Sequence, residues 1–449
     1  MGNALITDFY ELNMAASYLR RDMVGPATFS LFVRRLPPSR GFLVAAGLED
    51  CLKYLESFAF GPDDLAWLGT AGFPADVIDM FEAMHFSGDV IAVPEGRVVF
   101  ADEPLLEVTA PIAEAQLVET YLLNQITYQT SLATKATRCR LAAGGIELVD
   151  FALRRTHGAE AGMAVARVSA IAGFGATSNV EAARRFGLEA AGTMAHSYIE
   201  AFPTEAKAFR AFAEDLPGRT TFLVDTYDTR AGVEAAIGVI RQLGLSGPLG
   251  VRLDSGDLAR LARETREQLD GAGLPDVRIF VSGGLDEYDL ERFRMDAIPI
   301  DAAGVGTQMG VSGDAPSLDS AYKLVAFGER PVLKLSTGKA TLPGAKQVWR
   351  CFPILEECLA TRDEPGPVGT EPLLVPVMRG GLRVGLLDTL AAARQRLERD
   401  LDGLSPSARD LHEPTCPPVV LSERLRALTD QLTAGLSPHT RGSDARPPA

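Results

Sequence analysis

The segment 250–257, GVRLDSGD, gathers a guanidinium, two carboxylates and a hydroxyl within six residues: Arg252, Asp254, Ser255 and Asp257. Arg252 could clamp an anion or stack on a ring. Asp254 and Asp257 could hold Mg2+, which takes few carboxylates and keeps waters and substrate phosphates. The plainer reading is a strand-end cap, with Ser255 or Asp257 opening the helix that follows. His196, in AAGTMAHSYIEAF, stands where a strand runs into a helix. An imidazole there suits acid/base work or nucleophilic attack, and equally a hydrogen-bonded place at the edge of a core. Two further stretches, Ser282-Gly283-Gly284 and Gly304-Val305-Gly306-Thr307, are rich in glycine. Glycine lets backbone N–H groups approach a phosphate, and a helix start just beyond adds a favourable dipole. Each alone is also a plain turn; the pair points to a phosphorylated small molecule. Lys135, with Arg138 and Arg140, forms a basic stretch that either faces water or meets a polyphosphate.

The elements that must position these groups are short apolar strands alternating with helical patterns. The strands are IELVDFAL (146–153), a short one near Gly173, AAGTMA (190–195), TTFLVDT (220–226), LGVRLDS (249–255), RIFVSGG (278–284) and IDAAGVGT (300–307). Such alternation means right-handed crossovers and a parallel sheet. Seven units closing on themselves make a barrel; a doubly wound open sheet is the competing geometry. In a barrel, chemistry sits at the C-terminal strand ends, with a phosphate site after the last two strands. That rule selects the residues named above. The first 125 residues read as mixed α+β, with helices at 7–20 and 113–134 and a strand at 28–33. The expected division is 1–125 for an N-terminal α+β domain, 126–335 for the barrel-like catalytic domain, and 336–449 for a segment completing the first. SPHTRGSDARPPA reads as a frayed tail.

Composition narrows the class. Of 449 residues, 46% are hydrophobic and 23% charged, which is ordinary for a globular chain and excludes a disordered one. Lys plus Arg is 44 and Asp plus Glu is 59, a net charge of −15. That field repels polyanions, so a nucleic-acid or anionic-membrane partner is not expected, and an anionic substrate must be met by few, local cations. The five cysteines show no C-x-x-C pair. Reduced thiols in a cytoplasm fit better than a disulfide framework or a zinc site. No signal-peptide pattern and no apolar run of about 18 residues is present, so a cytoplasmic, soluble protein is expected.

Read in order, TDFYELNMA, FALRRTHG, GFGATSNVEAARRFG, AGTMAHSYIEAF, GVRLDSGDL, VSGGL, GVGT and YKLVAF…KATLPGAKQVWR resemble nicotinate phosphoribosyltransferase. The resemblance extends to VVLSERLRAL near the C-terminus and covers nearly the whole chain. Any one motif is weak; the ordered set is highly specific. The resemblance implies the type II phosphoribosyltransferase fold, an irregular β/α barrel with a second α+β domain built from both chain ends. It implies a homodimer with active sites at the interface. The implied reaction converts nicotinate and 5-phosphoribosyl-1-diphosphate (PRPP) to nicotinate mononucleotide and diphosphate, with Mg2+ present and ATP hydrolysis coupled. This is the entry step of NAD salvage.

The resemblance also assigns roles. His196 matches the histidine that ATP phosphorylates. Thr193 and Arg252 match nicotinate-contacting positions, Tyr10 the aromatic that stacks on the pyridine ring from the partner subunit, and Arg154 an arginine on the other ring face or at phosphate. Ser282, Gly283, Gly284, Gly304, Gly306 and Thr307 fall at the PRPP phosphates, and Lys135 on the diphosphate side. Mg2+ is expected on the PRPP diphosphate, with Asp254 or Asp257 as its protein contact. Ser178 stands where nicotinamide-using relatives carry Asp; a neutral side chain there admits the nicotinate anion. Ala152 stands where many relatives carry Gly, one methyl beside the ring slot. The alternatives are a nicotinamide enzyme or a non-catalytic nicotinate or PRPP sensor of the same fold.

Overall fold

Strand Pro26–Val33 is buried at every residue but its first, so it needs cover on both faces and belongs in the middle of a sheet. The computed structural model, which describes residues 2–336, 339–385 and 388–436, places it there. It is flanked by Ser320–Phe327 on one side and Pro104–Pro111 on the other, antiparallel to both. The seven-stranded sheet runs in the order Arg330–Pro331, Ser320–Phe327, Pro26–Val33, Pro104–Pro111, Asp89–Ala92, Val375–Arg379, Leu382–Arg383. Both ends of the chain therefore supply strands to one sheet. A four-stranded sheet containing Lys346–Cys351 and Glu356–Thr361 belongs to the same unit, which comprises Met1–Ser131 and Ser317–Ala449.

The second unit is Leu132–Pro316. Its six strands are all parallel, in the order Ala176–Thr177, Glu147–Asp150, Ala302–Val305, Arg278–Ser282, Gly250–Leu253, Thr221–Leu223. Their apolar runs are buried because crossover helices such as Thr229–Leu243 and Leu258–Gly271 cover them. The arrangement is an irregular β/α barrel: among the described residues the two outermost strands share no ladder.

Four expectations change. The segment 190–195 is not a strand. It makes a single parallel bridge, Thr177 to Ala190, and Ala and Gly, which strands disfavour, fill four of its six positions. The strand expected near Gly173 is Ala176–Thr177, because Gly173 ends the preceding helix at φ 99°. Residues 320–327, inside the expected catalytic bounds of 126–335, form a strand that pairs instead with Pro26–Val33, so the barrel unit stops at Pro316 rather than 335. The expected break at 125 falls inside helix Glu119–Ala143. The tail 437–449 lies outside the described residues. Among the described residues, no helix is long and apolar enough to cross a membrane.

Candidate active site

Strand Gly250–Leu253 is buried along its whole length and carries Arg252 to the C-terminal edge of the parallel sheet. Its Nη1 donates to Thr193 Oγ1 at 2.5 Å, and its Nη2 lies 3.7 Å from Asp254 Oδ1. Its Nε is buried with no hydrogen-bond partner among the described residues. Burial pushes the Arg252 pKa down; Asp254 and Asp225 oppose this, and the nearby Arg154 cation adds to it. The result is a buried guanidinium with an unmet donor, which an incoming anion can satisfy.

His196 opens the short helix His196–Glu200. Its Nδ1 lies 3.1 Å from Thr226 Oγ1 and its Nε2 4.0 Å from Asp254 Oδ2. Asp254 Oδ1 in turn accepts the Ser282 hydroxyl. Asp225, just past strand Thr221–Leu223, accepts the Asp254 backbone N–H at 2.9 Å and the Ser255 hydroxyl at 2.7 Å through Oδ2. Its Oδ1 is buried and has no hydrogen-bond partner among the described residues. Asp225 and Thr226 carried no role in the sequence reading. The signal that could have found them was their place at the end of TTFLVDT.

On the neighbouring strands, Asp150 is buried and its pKa is raised by burial, against hydrogen bonds from Thr177 and Ala152. It accepts the Ala152 N–H at 2.8 Å and the Thr177 hydroxyl at 2.7 Å, and its carbonyl accepts the Ser178 N–H at 2.8 Å. This fixes the turns that carry Arg154 and Ser178. Arg154 is exposed on the turn Leu153–Arg155, and Ser178 is half-buried. The Ala152 methyl is buried against Gly310, where an added Cβ would come within 2.7 Å of it. The extra methyl therefore has its own niche.

The glycines divide. Gly283 has φ 111°, and a side chain there would meet the Asp254 carbonyl at 2.2 Å, so only glycine allows these two loops to touch. Gly284 is also left-handed and is open to solvent. Gly306 precedes the exposed Thr307 at the sheet edge. Gly304 is a correction: it lies inside strand Ala302–Val305, where a Cβ would strike the Phe151 ring at 2.6 Å. It makes room for an aromatic ring and does not present its backbone to a phosphate.

Two further site expectations fail for identifiable reasons. Asp257 is exposed and caps helix Leu258–Gly271, accepting the Arg260 N–H at 3.2 Å; the cap reading is the right one. Lys135 neither faces water nor lines an open surface. It is 2% exposed and paired with Glu287 and Asp314. Tyr10 lies in the first unit, half-exposed on helix Phe9–Arg20, its hydroxyl pKa raised by burial and by Glu119 and Glu11. Among the described residues, no group of three or more His, Cys, Asp or Glu side chains could hold a metal ion.

Comparison with known proteins gives a consistent answer. Residues 5–127 match the nicotinate phosphoribosyltransferase N-terminal domain, 146–286 the nicotinate phosphoribosyltransferase family, and 342–429 its C-terminal domain. The chain is 46% identical over 427 residues to the nicotinate phosphoribosyltransferase pncB2 of Mycobacterium tuberculosis, covering 94% of this chain and 92% of the relative. It is 33% identical to the human nicotinate phosphoribosyltransferase, with 97% of each covered. Among solved structures, human nicotinic acid phosphoribosyltransferase superposes with a TM-score of 0.84 at 31% identity, over 95% of this chain and 99% of that one. A nicotinate-nucleotide pyrophosphorylase from Pyrococcus furiosus gives 0.74 at 28% identity, over 89% and 95%.

Proposed function

The chain belongs to the nicotinate phosphoribosyltransferase family, enzymes of NAD salvage, and from that premise we propose an ATP-coupled reaction run at the barrel mouth, with His196 as the phosphorylated residue. The observation that carries this is the convergence of His196, Arg252 and Asp254 within 4.0 Å steps of one another, with His196 at a helix start beside the C-terminal end of strand Gly250–Leu253.

In this reading the nicotinate carboxylate is met by Arg252, whose unpaired Nε supplies a donor already desolvated. Thr193 holds the guanidinium in its fork geometry. The pyridine nitrogen attacks C1 of the ribose while the C1–O bond to diphosphate breaks and diphosphate leaves with the electron pair. The protein's share is to hold the two reactants in line and stabilise the leaving charge. Gly283, Gly284, Gly306 and Thr307 offer backbone and hydroxyl donors for the PRPP phosphates. Mg2+ bound to the diphosphate supplies further neutralisation of that charge. Asp254 and the unpartnered Oδ1 of Asp225 are the carboxylates suited to meet it, whereas Asp257 is occupied as a cap.

ATP coupling needs a nucleophile, and neutral imidazole at His196 can take the γ-phosphoryl group as its bond to ADP breaks. Water later accepts the phosphoryl group and returns the imidazole. The half-buried, neutral Ser178 tolerates the nicotinate anion, where a carboxylate would repel it. The working form is a homodimer in which Tyr10 stacks on the pyridine ring bound by the partner subunit. The five free thiols suit a cytoplasmic setting.

The test is mononucleotide formation from PRPP and Mg2+ with nicotinate or nicotinamide, each with and without ATP. Nicotinate-only product stimulated by ATP is expected. Product from nicotinamide would overturn the role of Ser178. No product, in a folded protein that still binds PRPP, would replace the enzyme reading with a sensor.

A further inference from the structure

We propose that Lys135 is a positioning residue that ties the two glycine-bearing loops of the barrel mouth to each other, and so sets the spacing of the PRPP-phosphate donors they carry. The inference rests on the phosphate-binding role given above to those loops.

Lys135 lies within helix Glu119–Ala143 with its ammonium withdrawn from water. Nζ sits 2.5 Å from Glu287 Oε2 and 3.1 Å from Asp314 Oδ1. Glu287 begins helix Glu287–Met295, three residues beyond Gly284, and is itself fully buried. Asp314 stands four residues beyond the end of helix Thr307–Gly310. One cation therefore touches the segment leaving each glycine loop. Arg138, one turn further along the same helix, takes the other Glu287 oxygen, with Nε 3.1 Å from Oε1. The helix thus grips Glu287 at both carboxylate oxygens and reaches Asp314 with the same Lys135 ammonium.

Stability alone does not call for such an arrangement. Buried ion pairs recover little beyond their desolvation cost, and apolar side chains of similar volume hold segments together as well or better. What ion pairs with fixed partners add is a single permitted geometry. Burial pulls the Lys135 pKa down, and Glu287 and Asp314 more than reverse this, so the ammonium stays charged and both links persist. Small displacements matter here, because a shift of about 1 Å in a positioning group can cost about 100-fold in rate.

Asp314→Asn is the mildest test, because it leaves the Lys135–Glu287 pair intact and removes the charge from the second link. Steady-state kinetics with PRPP and nicotinate varied in turn should show a PRPP KM raised about tenfold, with the nicotinate KM within about twofold of wild type. Lys135→Met should raise the PRPP KM at least as far, and the double variant no further than Lys135→Met alone, as expected when two residues act through one tie. Lys135→Met risks poor folding because it strands a buried carboxylate; Asp314→Asn carries the test without it. An active Asp314→Asn enzyme with an unaltered PRPP KM overturns the proposal. So does an equal rise in both KM values, which would mark a merely structural residue. A wild-type protein that forms no mononucleotide overturns the underlying reading together with this one.

Discussion

His196, at the start of its short helix, meets Thr226 just past strand Thr221–Leu223, the imidazole Nδ1 3.1 Å from the threonine hydroxyl, while Nε2 of the same ring faces Asp254. The contact at Nδ1 restricts the orientation of the ring, and a nucleophile gains from that. His196→Ala should abolish ATP hydrolysis and ATP stimulation but leave slow, ATP-independent transfer. Thr226→Val should lower ATP turnover about tenfold, roughly 1.4 kcal/mol, and Thr226→Ser should restore it. ADP release and mononucleotide formation, followed in parallel, check both. Unchanged ATP coupling in His196→Ala would remove the phosphohistidine.

Arg252 is expected to dominate nicotinate affinity. Arg252→Ala should raise the nicotinate KM more than tenfold, beyond about 1.4 kcal/mol, with a smaller change for PRPP. Thr193→Val, which frees the guanidinium from its 2.5 Å partner, should give part of that effect, about threefold. A change under threefold for Arg252→Ala would place the carboxylate elsewhere.

Ser178→Asp tests the charge argument. A carboxylate at this half-buried position should lower kcat/KM for nicotinate by at least about tenfold, since unlike a surface pair it would be poorly screened. Nicotinate kinetics indistinguishable from wild type would show that the position lies outside the ring slot.

Stability should fall between weakly acidic and neutral pH, partly through Glu103. It is fully buried, accepts the Phe100 N–H at 2.8 Å, and burial raises its pKa from 4.5 to about 7, against the opposing pull of Arg350. The fold thus favours the neutral carboxyl. Its contribution is fully present below the unfolded value of 4.5 and is lost as pH rises through about 7. Glu103→Gln should therefore gain on wild type in thermal melts from pH 5 to pH 8, by on the order of 3 kcal/mol at about 1.4 kcal/mol per pH unit. A gap between the two proteins that does not change with pH would contradict this.

The parallel core was legible because its short strands, such as GVRL and RIFVS, are mostly apolar and alternate with helical patterns. The rule placing chemistry at their C-terminal ends selects Arg252 and Asp254, whereas His196 was reached through a strand that does not form. Other features depended on neighbours remote in the chain. Lys135, in a helix peppered with Thr and Arg, reads as solvated until Glu287 and Asp314 are found against it, more than 150 residues away. Gly304 looks like any turn glycine until the Phe151 ring is seen to need its space. The Asp225 carboxylate shows its purpose only through a backbone N–H on another strand. AAGTMA failed as a strand for a local reason: Ala and Gly, poor strand formers, outnumber Thr193 and Met194 in it.

The unmet Nε of Arg252 has a consequence for the protein in the cell. A fold that leaves a buried donor unsatisfied until an anion arrives is less stable empty than filled. The anion then acts as a missing piece of the structure, and by mass action its concentration raises the free energy of unfolding. Because proteases act on the transiently unfolded chain, the lifetime of this protein should lengthen as the ligand accumulates and shorten as it is exhausted. Substrate supply would then govern the amount of the enzyme as well as its turnover.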